Sequence, residues 1–262
     1  MSGLVQAIYR YPVKGLSPEK LSATQLRKGE MLAHDRRYAI ENGPSGFDPD
    51  APKYRPKTMY LMLMRNERLA ALKTHFDEAT TNLTIRKGDR EAVRADLSTP
   101  DGRLAVEAFF RRYMPTELRG APKVLEAHDH RFSDTAKKVV SIINLASVAA
   151  LETSIGAPVD PLRFRGNVLV ESWPAWHEFE LVGKGIRIGE RARLKIIDRI
   201  VRCAATNVDP ATGIRDLDIP RTLMRAFGHN DCGVYARVIE DGLIAAGDRI
   251  EVVEQGERLP SP

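Results

Sequence analysis

The 262-residue chain contains only two cysteines, Cys203 and Cys232, and aromatic residues make up just 6% of it. Two thiols cannot complete a four-thiolate zinc or iron-sulfur site, and a chain of this size needs no disulfide to hold its core, so a reducing, cytoplasmic setting is expected. Few aromatic rings means few platforms for stacked bases. No zinc-finger, RNP-type or basic-zipper pattern is present, and nucleic acid is not an expected partner. Long apolar runs are missing too. The N-terminus, MSGLVQAIYRYPVKGL, lacks a signal core, and the richest apolar stretch, residues 139–151, is too short and too polar to span a bilayer. No membrane association is expected.

What is present is ordinary globular material, with 43% hydrophobic and 29% charged residues. The length suits one large domain or two modest ones, and two halves are expected, residues 1–120 and 121–262, with the junction near 115–125. The formal charge of +5 is spread along the chain. That excess suits an anionic small ligand as well as nucleic acid and decides nothing alone.

Alternating apolar residues in LVQAIYRYPVKGL read as a strand that runs into a turn at Gly15, with Pro12 at its edge and Lys14 at the tip. Two more strands are expected in KLSATQLRKGEMLAHDRRYAIEN, the second carrying Asp35, Arg36 and Arg37. The Gly- and Pro-rich segment 42–58 is a loop, and residues 59–64 a short apolar strand. Strand-like runs follow between 69 and 96. PDGRLAVEAFFRRYM, with Leu104, Ala108 or Phe109, and Tyr113 on one side, reads as an amphipathic helix.

In the second half, a strand at 139–143 leads into a helix from about Ala146 to Ile155, capped by Asn144 or Ser147 and ended by Gly156. His128 and His130 have the spacing of a metal pair but no third ligand nearby. A turn at Asp160-Pro161 precedes a strand at 168–170, with Arg163, Arg165 and Asn167 expected to alternate on one face. Short β runs broken by Gly183, Gly185 and Gly189 argue for a barrel rather than a layered α/β sheet. Two more strands flank Asp241-Gly242, and the final GERLPSP is expected to fray.

The chemistry-bearing stretch is VRCAATNVDPATGIRDLD, residues 201–218. Cys203 reads either as a small buried hydrophobe ending a strand or as a thiolate whose pKa is lowered by Arg202 and other basic groups. Asp209 reads as a turn former before Pro210 or as a group bounding a substrate pocket and passing a proton. Lys14 is a solvated lysine or a ligand contact. Asp35 beside Arg36 and Arg37 is a surface ion pair or an arginine fork for an anion. Cys232 reads as a buried structural thiol.

Taken together, YPVKG, DRRYAI, FSDT, NLAS, RFRGN, RCAATNVDPATG and GVYARV ahead of GLIAAGDRI stand in the order seen in MOSC proteins. The chain resembles that family over nearly its whole length, and in particular the branch of the mitochondrial amidoxime-reducing component without a fused ferredoxin domain. The resemblance implies a mainly β fold with some α, a MOSC N-terminal β-barrel domain packed against a MOSC β-barrel domain with peripheral helices. It implies a molybdenum cofactor between the halves, with Cys203 as the molybdenum ligand. Lys14 and Arg36 match the family's basic groups near the pterin and its phosphate. Asp134 and Thr135 match its polar pair, and Arg165 the arginine of its R.N stretch, which ends here at Asn167. Gly15 stands where relatives often have Ser, and Gly166 where they have Pro.

The activity so implied is reduction of a small N-hydroxylated or N-oxide substrate by oxygen-atom removal at molybdenum. The two thiols are too few for an iron-sulfur cluster, so the electrons would come from a separate donor protein. The alternative implied by the cofactor sulfurases is a carrier, in which Cys203 holds a persulfide or presents the cofactor for sulfuration.

Overall fold

In the computed structural model, which describes residues 2–253, the chain is mainly β with four α-helices. The first half supplies β1 (Gly3–Arg10), β2 (Glu19–Leu21), β3 (Ala23–Leu26), β4 (Ala39–Asn42), β5 (Leu72–Asp77), β6 (Asn82–Lys87), β7 (Arg90–Asp96) and α1 (Pro100–Tyr113), and β8 (Pro122–Leu125), just past the expected boundary at residue 120, pairs with β4 and packs with this half. The second supplies β9 (Val140–Asn144), α2 (Leu145–Ile155), β10 (Val168–Glu171), α3 (His177–Glu180), β11 (Gly185–Ile188), β12 (Ala192–Val201), α4 (Ile219–Phe227), β13 (Asp231–Glu240), β14 (Gly242–Ala245) and β15 (Arg249–Val253). No described helix is long and apolar enough to cross a membrane.

Seven strands close into a barrel in the order β10-β9-β13-β12-β11-β15-β1, with β1 pairing back onto β10. All neighbours are antiparallel except β9 and β10. Closure pairs each of the seven strands on both sides, and β2 adds to the far end of β1 as an eighth strand of the sheet. Inward side chains such as Val5, Ile8, Ile142, Val168, Ile186, Leu194, Val234 and Ile250 fill the barrel and are all buried. The strand that completes this barrel therefore comes from the N-terminus, although the other six lie beyond residue 139. A second crossing link, β3 with β14, ties the halves again.

The first half packs around its own core. The meander β5-β6-β7, the pair β4-β8 and α1 enclose Leu69, Phe76, Ile85 and Phe110, joined by Val208 from the second half. Thr99 caps α1 by accepting from Gly102 N at 3.1 Å. The buried face of α1 is Val106, Phe109 and Phe110, whereas Leu104 is 53% exposed, so the apolar stripe lies about a third of a turn from the expected one. In α2, Asn144 is the cap and Gly156, at φ +77°, the terminator.

Some local expectations give way. Residues 59–64 are not a strand: Lys57–Met59 form a 3-10 turn, and Asn66 Oδ1 accepts from Met62 N at 3.2 Å, which offers that backbone a turn in place of a ladder. Asp35, Arg36 and Arg37 lie in a turn before β4, with His34 and Arg36 at positive φ. Arg163 sits in a 3-10 turn, Pro161–Phe164, and Arg165 is left-handed at φ +52°, so they do not alternate with Asn167 along one strand. The C-terminal stretch makes three strands rather than two, because beyond the expected turn at Asp241-Gly242 the chain turns again at 245–248, where Asp248 N donates to Ala245 O at 3.2 Å and Gly247 is left-handed at φ +92°. The tail GERLPSP lies outside the described residues.

Candidate functional site

A cleft of about 510 Å³ opens between the two halves, within the range of small-ligand sites. Cys203 leaves the end of β12 in extended conformation and starts a 3-10 turn, Ala204–Asn207, whose Thr206 donates from N and Oγ1 to Cys203 O at 3.0 and 2.9 Å. The loop beyond is clamped to the first half. Arg215 donates to Ala204 O on its own side and to Met64 O at 2.7 Å across the cleft. Gly213, at φ +76°, comes so close to Glu67 that a Cβ would sit 2.9 Å from its carbonyl oxygen. The thiol is thus carried by a turn braced from both sides.

Lys57 donates to Cys203 Sγ at 3.3 Å and to Asp134 Oδ2 at 3.2 Å. Lys14, fully within the cleft wall, donates to the other Asp134 oxygen and to Phe132 O at 2.9 Å. Burial opposes ionisation of Asp134, but the two ammonium groups outweigh it and hold its carboxyl well below the ordinary range. Burial lowers the Lys14 pKa despite the carboxylate beside it. Thr135 lines the same wall, with Oγ1 accepting from Lys137 N.

Arginines form the opposite side. Arg36 pairs with buried Asp35 and donates to Arg165 O at 3.0 Å. Arg165 finds only Leu16 O, at 2.9 Å, and the face of Tyr11. Desolvation lowers its pKa to about 10. Arg202 donates to Phe164 O at 2.9 Å and twice to Cys232 O. Among the described residues neither Arg165 nor Arg202 has a carboxylate partner. Arg202 is satisfied by these carbonyls, whereas Arg165 is a desolvated cation with spare donors and no anion, and a bound anion would relieve it. The apolar remainder of the wall comes from Met62, Leu63, Val139, Phe164 and Ile200.

Of the residues expected from sequence, Lys14, Gly15, Arg36, Asp134, Thr135, Arg165, Asn167, Arg202 and Cys203 all line this one cleft. Asp209 does not. Its Oδ1 accepts from Ala211 N, Thr212 N and Thr212 Oγ1 between 2.7 and 2.9 Å, and its Oδ2 lies 3.3 Å from Arg163. Against its partial burial these bonds hold the carboxyl below its usual range, and the geometry is that of the turn former rather than a pocket wall. Arg202, expected to activate the thiol, spends its guanidinium on carbonyls; the cation donating to Cys203 Sγ is Lys57. Asn167 is also engaged, its Oδ1 accepting from Ser141 N and Oγ and its Nδ2 donating to Tyr9 O.

Gly15 is left-handed at φ +83°, with a Cβ position 3.0 Å from Leu61 O, so the chain here favours glycine for backbone reasons. Gly166 packs where a Cβ would meet Ile143 Cγ1 at 2.3 Å. Cys232 is wholly buried, and burial pushes its thiol up to about 12. His130 packs at a tilt against Phe47 and edge-on against Phe132. Sequence reasoning missed Lys57, Tyr11, Ser141 and Tyr235. Lys57 lies in a loop where lysine ordinarily reads as solvated, and no local signal marks it.

Residues 2–117 match the family described as the MOSC N-terminal beta barrel domain, and residues 127–251 match the MOSC domain. Similar solved structures include the YUAD protein from Bacillus subtilis, at 12% identity over 96% of both chains with a TM-score of 0.44. YiiM from Geobacillus stearothermophilus matches at 20% identity over 45% of this chain and 55% of its own, TM-score 0.36. YiiM from Escherichia coli matches at 18% over 46% and 56%, TM-score 0.34. No curated protein matches the chain.

Proposed function

The chain belongs to the MOSC-domain proteins, its MOSC N-terminal beta barrel domain preceding its MOSC domain, and on that premise we propose that the cleft binds a molybdenum cofactor and reduces small N-hydroxylated or N-oxide substrates. The observation that carries this reading is the desolvated, carboxylate-free Arg165, lining with Lys14 and Arg36 the same cleft as the Cys203 thiol. An anionic pterin phosphate answers the cations, and a soft thiolate suits a molybdenum ion. The donor set therefore fits the group. When bound, the cofactor would supply two-electron oxygen-atom chemistry, whose net result is conversion of an N–OH group, two electrons and two protons into N–H and water.

The chain's own residues would do the rest. Cys203 would be the protein ligand to the metal, with Lys57 Nζ hydrogen-bonded beside its sulfur. Lys14, Arg36 and Arg165 would hold the phosphate end, and Asp134 and Thr135 the amide-like edge of the pterin. Met62, Leu63 and Ile200 would keep water from the reacting face. A separate donor protein would deliver the electrons.

The test is expression in a cofactor-supplying host, followed by molybdenum and pterin analysis and an assay of benzamidoxime reduction with an artificial donor. Near one molybdenum per chain with turnover is expected, and Cys203→Ser should lose metal and activity. Loaded protein that never turns over would favour the carrier, with Cys203 presenting cofactor or persulfide. Protein that holds no pterin under any loading condition would refute the reductase reading.

A further inference from the structure

Two of the cleft arginines come from opposite halves of the chain, yet both guanidinium groups lie over one ring. Arg36 Cζ is 4.7 Å and Arg165 Cζ 4.2 Å from the centroid of Tyr11. Both arginine backbones are left-handed, at φ +48° and +52°, an unusual conformation for long side chains that the surroundings must enforce.

Those surroundings converge on Tyr11. It is wholly buried just past the end of β1, the strand that crosses between halves. Its N donates to Asp35 Oδ1 at 2.7 Å, and its carbonyl accepts from Arg36 N at 2.7 Å. Asp35, also wholly buried, gives its second oxygen to Arg36. Arg36 in turn donates to Arg165 O. The hydroxyl of Tyr11 makes only one long contact, 3.5 Å to Gly166 O, so the ring rather than the oxygen is the working part. Two like charges gathered on one ring repel each other, and Asp35 neutralises only Arg36. Such an arrangement is a waiting site for an anion with several oxygens, which planar guanidinium groups grip in parallel.

We propose that Tyr11 is the positioning residue of an anion clamp: its ring seats Arg36 and Arg165, and its main chain with Asp35 fixes their direction, so that the pair grips a phosphoryl group entering the cleft. The identity of that group as part of the cofactor rests on the preceding reading; the clamp itself does not.

The experiment compares full-length wild type with Tyr11→Phe and Tyr11→Leu in two arms. Protein from a cofactor-deficient host is scanned for thermal stabilisation by inorganic pyrophosphate against sodium chloride of equal ionic strength. Protein from a cofactor-supplying host is dialysed and its retained pterin measured. Tyr11→Phe should match wild type in both arms, because the ring remains. Tyr11→Leu should weaken pyrophosphate affinity and pterin retention about tenfold, the order expected for losing two cation–π supports. If Tyr11→Leu does not fold, Arg165→Lys, which keeps charge but not the planar stack, is expected to show the same loss. Wild-type behaviour in Tyr11→Leu, or in Arg165→Lys where it stands in, overturns the clamp, as does a loss in Tyr11→Phe equal to that in Tyr11→Leu. So does a wild type that pyrophosphate never stabilises. Wild type that binds pyrophosphate through Tyr11 but holds no pterin keeps the clamp and removes the cofactor reading.

Discussion

Asn167→Ala should destabilise the protein even though Asn167 lines the cleft. Asn167 is 1% exposed, and its amide is spent entirely on protein. Oδ1 accepts from Ser141 N at 3.1 Å and from Ser141 Oγ at 2.8 Å, while Nδ2 donates to Tyr9 O at 3.1 Å. These bonds pin the end of β1 and the start of β10 to β9, which is where the barrel closes across the two halves. Truncation leaves the Ser141 N–H and the Tyr9 carbonyl without these partners and the Ser141 hydroxyl with only the Asn167 main-chain N–H, at 3.0 Å, and each lost bond is worth about 1–3 kcal/mol if left dry. The cleft can admit water to part of the gap, which lowers the sum to about 2–4 kcal/mol. For a chain of this size that corresponds to a fall in melting temperature of roughly 5–15 °C. Urea unfolding followed by far-UV circular dichroism and by tryptophan fluorescence would measure it. A loss below about 1 kcal/mol, well under a single unsatisfied group, would refute the staple role.

Three further outcomes follow from the same geometry. Glu178 is fully buried, accepting from Asn144 Nδ2 at 2.8 Å and Ser147 Oγ at 2.9 Å, and burial raises its pKa above the ordinary Glu value in spite of those bonds. The folded state then holds a proton that the unfolded state has released, so this group's contribution to stability falls as pH rises from the ordinary Glu range through the raised folded value. Melting curves across that window should show the wild-type decline flattened in Glu178→Gln; parallel curves would contradict the raised pKa. Native protein treated with an aromatic disulfide should release one equivalent of thiolate, from half-buried Cys203, with Cys232 reacting only after unfolding; two fast equivalents would show that Cys232 is accessible. Gly166→Ala should cost about 1–3 kcal/mol because wholly buried Ile143 has no room to retreat from the new methyl, and an unchanged urea midpoint would mean that the core there is loose.

Local pattern was enough to read much of the fold. Alternation marked β1 and the runs that became β5 and β6, though not the charged β7, Asn144 and Gly156 bounded α2, and the spacing of short strands and glycines in the second half pointed to a barrel. These features depend on interactions within a few residues, which is why a sequence reader can see them. The motif residues likewise converged: Lys14, Arg36, Asp134, Arg165 and Cys203, up to 189 positions apart, line one cleft.

What only the tertiary structure decided were the partners of each charge and the company of each strand. Nothing near Gly3–Arg10 announces that this strand completes a barrel whose other members lie beyond residue 139, because ladder partners are chosen by burial across the whole chain. Nothing near Lys57 announces a bond to the Cys203 sulfur, and nothing in VRCAAT shows that Arg202 turns to carbonyls instead. Sequence supplied the thiol and the cations. Which cation keeps a carboxylate, which is left for a ligand, and which merely holds a turn was set by desolvation, a quantity that exists only once the two halves have closed on each other.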